Sequence, residues 1–153
     1  MAEAREEAER AMGELGHTSF RLEVMTPERP VISDEVTELM APGAEGYFGV
    51  LPGHTPFITT LSIGELTYRK GKDERHLAVT WGYAEVRGDR VIVLAETAER
   101  AEEIDVERAE RARRRAEGHL QAWFGGDEEV DFARAQAALY RALNRVEVAR
   151  KGH

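Results

Sequence analysis

The sequence changes period once, near Glu96, and that change limits the fold more than any other feature. Upstream, from Thr18, Phe20, Leu22 and Val24 alternate with Arg21, Glu23 and Met25, the period-two pattern of a strand with one buried face. Similar short runs recur between Pro and Gly punctuation at residues 31–36, 38–40, 48–51, 57–61, 65–69, 76–80, 83–87 and 91–95, the rhythm of a β-sandwich or barrel. Lys70-Gly71-Lys72-Asp73 and Arg87-Gly88-Asp89-Arg90 read as hairpin turns in which glycine supplies a positive φ.

After Glu96, Gly and Pro are absent until Gly118. Ala101, Ile104 or Asp105, Ala109, Ala112, Ala116 and Leu120 now recur every three or four residues, and after Gly125-Gly126-Asp127 so do Phe132, Ala135, Leu139, Ala142 or Leu143, Val146 and Ala149. Both series are helical stripes, and the short break makes them an antiparallel helical hairpin. Asp131 is placed to cap the second helix, and Asp105 to cap another. A stripe made largely of alanine buries less apolar area than one of leucine, at roughly 25 cal/mol per Å². The hairpin is therefore expected to be held lightly, able to open or redock when a ligand or partner supplies a few kcal/mol. The fold class is α+β, with an acidic extension at 1–17, a β-sandwich or barrel at 18–97 and the hairpin at 98–153.

Charge is distributed unevenly. Residues 132–151 carry Arg134, Arg141, Arg145, Arg150 and Lys151 against Glu147, a net +4 that leaves −12 for the rest of a chain totalling −8. Arg134, Arg141 and Arg145, spaced by seven and four, share a helix face, which by itself fits a solvated arginine face. The acidic remainder disfavours nucleic acid as a partner. Cysteine is absent, so thiolate chemistry and Cys-based metal sites are excluded. The histidines at 17, 54, 76, 119 and 153 form no His-x-x-x-His or His-Glu-x-x-His pair, and no nucleophile elbow or phosphate-cradling glycine loop occurs. No catalytic residue and no metal site is expected. The acidic start MAEAREEAERAMGEL lacks the order of a secretory signal, so a soluble chain without a spanning segment is expected.

Val24-Met-Thr-Pro-Glu-Arg-Pro-Val31, Gly46-Tyr-Phe-Gly-Val-Leu-Pro-Gly-His-Thr-Pro56, and Trp81-Gly-Tyr-Ala-Glu-Val86 followed by Val91-Ile-Val-Leu94 resemble the epsilon subunit of the rotary F-type ATP synthase. Glu99-Arg-Ala-Glu-Glu-Ile-Asp-Val-Glu-Arg-Ala109 is similar to that family's nucleotide motif, and Tyr140-Arg-Ala-Leu-Asn-Arg145 extends the likeness, which spans about residues 18–150. The Trp123-Phe-Gly-Gly126 turn is longer and more apolar than is usual there.

The resemblance implies an N-terminal flattened β-sandwich at 18–97 followed by a C-terminal antiparallel α-helical hairpin at 98–153, in a non-catalytic subunit of the central stalk whose sandwich contacts the gamma subunit and the c-ring and links proton-driven rotation to the catalytic head. It implies a hairpin that permits turnover when folded down and inhibits ATP hydrolysis when extended along gamma to the alpha and beta subunits, with Arg134 and Arg141 facing an acidic segment of beta. No cofactor is required, but ATP is implied as a regulatory ligand of the compact hairpin. Residue by residue the ATP site maps to Glu99, Ile104, Asp105, Arg108, Ala109, Arg115, Arg141 and Arg145. The implied location is peripheral, on the cytoplasmic face of a bacterial inner membrane. A stand-alone ATP-sensing module without catalytic activity is the alternative, distinguished by the absence of a gamma-like partner and a c-ring.

Overall fold

The computed structural model describes residues 2–4 and 18–152. Of the expected acidic extension, residues 2–4 are helical and the remainder lies outside the described residues, as does His153.

The period-two segment forms eight strands: β1 (Phe20–Met25), β2 (Pro30–Val36), β3 (Glu38–Gly43), β4 (Gly46–Val50), β5 (Phe57–Leu61), β6 (Gly64–Lys70), β7 (Asp73–Arg87) and β8 (Arg90–Arg100). They hydrogen-bond in the order β2-β1-β8-β7-β5-β3-β4, with β6 joined to both β3 and β7. β1 runs parallel to β8, and the other pairs are antiparallel. The long β7 pairs with β6 along its first half and with β5 along its second. This lets the strands fold over into a sandwich around Leu22, Val24, Leu39, Leu66, Leu77, Val79, Val86 and Val93, all buried.

The runs expected as separate strands at 76–80 and 83–87 are two halves of β7. The reason is a change of parity: Leu77 and Val79 point into the core before the join, Ala84 and Val86 after it. At the join Trp81 has φ +40° and Gly82 φ +132°. A Cβ on Gly82 would lie 1.8 Å from the Leu94 carbonyl oxygen, so glycine is obligatory there. β8 likewise runs beyond 95 to Arg100, held by the register from Thr80↔Thr97 to Leu77↔Arg100 although residues 96–100 lack an alternating apolar pattern. Both expected hairpin turns form, but only Gly71 of the two takes a positive φ.

A 3-10 turn, Ala101–Glu103, leads into α1 (Val106–Phe124) and α2 (Phe132–Ala149). α1 starts later than the helical stripe begins, because β8 claims Arg100 and Asp105 occupies the cap. It ends in a Schellman arrangement, with Gly126 N–H donating to the Trp123 carbonyl at 3.0 Å and Asp127 N–H to the Ala122 carbonyl at 2.9 Å. Gly126, at φ +101°, takes the left-handed position. Ala109 and Ala116 of α1 and Ala135 and Ala142 of α2 are buried, small side chains on the stripes the sequence marks. A second core, of Ala78, Ala101, Ile104, Ala109, Val146, Val148 and Ala149, joins the hairpin's base to the sandwich. No helix among the described residues is long and apolar enough to cross a membrane.

Candidate functional site

The two helices begin alike. Asp105 accepts from Arg108 N–H and Asp131 from Arg134 N–H, each at 3.1 Å, which places an arginine one turn inside each cap. From these starts the helical period carries Arg115 on α1, and Arg141 and Arg145 on α2, to the same side as Arg108 and Arg134. They face a cleft of about 900 Å³ whose floor includes Ala78, Thr80, Thr97 and Glu99 of β7 and β8. Five arginines meet three carboxylates there, those of Glu99, Glu129 and Asp131, with His119 on the wall of α1. The volume lies in the upper range of small-molecule sites, and guanidinium groups from two facing helices suit a multiply charged anion with planar oxygen faces.

Of the residues assigned to ATP, Glu99, Arg108, Arg115, Arg141 and Arg145 therefore line one cleft. Ile104 and Ala109 do not, because both are buried in the core at the hairpin's base. Asp105 is off the cleft wall and caps α1 with Oδ1. The two arginines assigned to inhibition, Arg134 and Arg141, also line the cleft.

Within the cleft, Glu99 holds Arg145 at 2.8 and 3.0 Å, so of its possible roles it fixes an arginine. The Arg141 guanidinium lies over the Trp81 ring, 5.4 Å from the centroid. Thr80, the one buried polar residue among those described, shares a hydroxyl hydrogen bond with Thr97. Sequence reasoning missed Thr80, Thr97, Trp81 and His119. The threonines lie in no motif and meet only through the β7·β8 register.

Below the cleft the hairpin is fastened to β6. Asn144 Nδ2 donates to the Gly64 carbonyl at 2.8 Å, and Lys151 Nζ meets both Glu65 oxygens at 2.7 and 2.9 Å. Glu65 also contacts His76 Nδ1 at 2.6 Å and accepts from Thr67 at 3.0 Å. Burial pushes the Glu65 carboxyl up, but the hydrogen bonds from Lys151, His76 and Thr67 outweigh it and leave it below its ordinary value. The same contact raises Lys151 against a smaller opposing effect of burial.

Residues 19–101 match the family described as "ATP synthase, Delta/Epsilon chain, beta-sandwich domain", and residues 102–150 its "long alpha-helix domain". The chain belongs to the ATP synthase delta/epsilon family. The ATP synthase epsilon chain 2 of Syntrophotalea carbinolica is 53% identical over 133 residues, covering 87% of this chain and 95% of that one. The epsilon chain of Geobacter metallireducens is 53% identical over 132 residues, covering 86% and 94%. In fold, the chain is similar to one in the Euglena gracilis mitochondrial ATP synthase, with a TM-score of 0.74 at 24% identity over 87% of this chain and 82% of the other. The delta/epsilon family thus accounts for both halves of the architecture and for a non-catalytic subunit. The acidic extension, residues 1–17, falls outside both matched ranges.

Proposed function

We propose that this chain is a rotor subunit of the central stalk, coupling proton-driven rotation of a c-ring to ATP synthesis, and that its hairpin restrains ATP hydrolysis. The names of its relatives support the complex, and the solved structures similar in fold carry titles that include a c-ring. The sandwich's outer face supports a permanent protein partner, the gamma subunit. Tyr83 and Leu94 are paired across β7 and β8, with Ile58 on the neighbouring β5, and all three are exposed, an apolar patch of the kind that marks an interface. The location that follows is peripheral, on the cytoplasmic face of a bacterial inner membrane.

The regulatory half of the proposal rests on one observation: the arginine cleft is assembled from both helices and the end of β8. A triphosphate bound there touches α1 and α2 at once and exists as a site only while the hairpin is docked. ATP then stabilises the docked form by RT ln(1 + [ATP]/Kd), about 2.7 kcal/mol at a hundredfold excess over Kd. With ATP scarce, the hairpin leaves the sandwich and offers Arg134 and Arg141 to an acidic segment of beta, with alpha and beta as its new neighbours. Such contacts weaken with salt where they are exposed.

Two measurements test this. ATP titrated into the full chain is expected to raise its melting temperature, with Arg108→Ala and Arg115→Ala each weakening the effect; an unchanged melting curve at millimolar ATP overturns the nucleotide site. Removal of residues 132–153 is expected to raise the ATPase rate of the assembled complex, and an equal rate overturns the brake.

A further inference from the structure

Trp81 is the one non-glycine residue with positive φ among the described residues. An aromatic residue held in the left-handed region carries a cost that only its surroundings can offset. Its N–H still reaches the Ser62 carbonyl at 3.3 Å, so the strand's edge is kept while the side chain leaves the alternation of β7. The indole goes beneath α2. With Tyr47, Ala137 and Tyr140 it lines a second cleft, of about 560 Å³, and it meets the Arg141 guanidinium that lines the first.

Arg141 and Arg145 lie one turn apart and are held by opposite means. Arg145 is neutralised by Glu99. Arg141 is held by a ring face, and no carboxylate pairs with it among the described residues. A π face attracts a cation without taking any of its N–H donors, so the guanidinium is fixed while its charge and hydrogen-bonding capacity stay available.

We infer that Trp81 is a positioning residue for the anion site: the kink at Trp81-Gly82 presents the indole to α2 so that Arg141 is held ready at the cleft. The inference rests on the reading of the cleft as an ATP site and adds a residue to it. It also couples two events at one side chain, because a hairpin that leaves the sandwich loses the indole and the arranged arginine together.

The test uses the full chain and four variants, Trp81→Phe, Trp81→Gly, Arg141→Ala and Trp81→Gly with Arg141→Ala. Trp81→Gly relaxes the left-handed backbone, so its sandwich remains folded. Calorimetry with ATP and with inorganic triphosphate is expected to show about a fivefold loss of affinity in Trp81→Gly, near-wild-type affinity in Trp81→Phe, and no further loss when Trp81→Gly is added to Arg141→Ala. The Arg141 Nε–H resonance, assigned by its loss in Arg141→Ala, is expected to be ring-shifted in the wild type and in Trp81→Phe but not in Trp81→Gly. Equal ATP affinity in the wild type and Trp81→Gly, or additive losses in the double variant, overturns the role of Trp81 and leaves the ATP site standing. Absence of ATP binding by the wild type overturns the site itself, and an Arg141 resonance without a ring shift overturns the contact.

Discussion

Glu99, near the end of β8, and Arg145, on the last turns of α2, hold each other at 2.8 and 3.0 Å across the joint between sandwich and hairpin. Their side chains keep only 33% and 22% of their exposure, so the pair is less screened than an ordinary surface bridge. It fastens the docked hairpin and occupies an arginine that faces the cleft.

Glu99→Gln separates those two effects. It is expected to cost the docked hairpin about 1 kcal/mol, seen as faster amide exchange in α2. It is also expected to raise affinity for inorganic triphosphate severalfold, because Arg145 is released and a negative charge leaves the cleft. Loss of ATP affinity with triphosphate binding unchanged marks Glu99 instead as a group that reads the base.

The Glu65–Lys151 contact predicts a pH window. Glu65 is lowered from 4.5, so its contribution to docking is present above pH 4.5 and lost as pH falls through its lower folded value. Lys151 is raised from 10.5, so its contribution is present below pH 10.5 and lost as pH rises through its higher folded value. Amide exchange at the end of α2 is expected to accelerate at both extremes, and Lys151→Met to flatten this dependence. A pH profile identical in that variant disproves the assignment.

The capping role of Asp105 can be told apart from a role toward ATP. Asparagine is as good an N-cap as aspartate, so Asp105→Asn is expected to change chain stability by a few tenths of a kcal/mol, whereas Asp105→Ala costs about 1 kcal/mol. Denaturant unfolding gives both values. If Asp105 serves only as a cap, ATP affinity survives in Asp105→Asn; a loss there assigns the carboxylate a direct role.

Gly82→Ala is expected to be severe, more than about 3 kcal/mol. The added Cβ would lie 1.8 Å from the Leu94 carbonyl oxygen, and alanine does not tolerate φ +132°. Denaturant unfolding measures the loss, and a variant within 1 kcal/mol of wild type shows that β7 and β8 can part there.

Much of the architecture is readable in the chain because its causes are local. Phe20, Leu22 and Val24 mark a strand within six residues, and the three-and-four spacing from Ala109 to Ala116 marks a helix within eight. The caps at Asp105 and Asp131 act over three residues. The arginines of the cleft are legible for the same reason, since seven and four residues return a side chain to the same helix face. The assignment of Arg108, Arg115, Arg141 and Arg145 to ATP rests on the family resemblance, and in the fold Ile104 and Ala109 of its motif are buried in the core at the hairpin's base.

What stayed hidden depends on where distant elements come to rest. Nothing near Trp81 in the chain announces that β7 turns there and reverses which parity faces inward, because the cause is the close passage of the Leu94 carbonyl on β8. Thr80 and Thr97 meet only through register, and Arg145 finds Glu99, Asn144 finds Gly64 and Lys151 finds Glu65 across 46, 80 and 86 residues. Periodicity and capping fix the elements and the faces they carry. The orientation in which the hairpin lies on the sandwich is fixed by packing and by partners far apart in sequence, and that orientation turns two rows of arginines into one cleft.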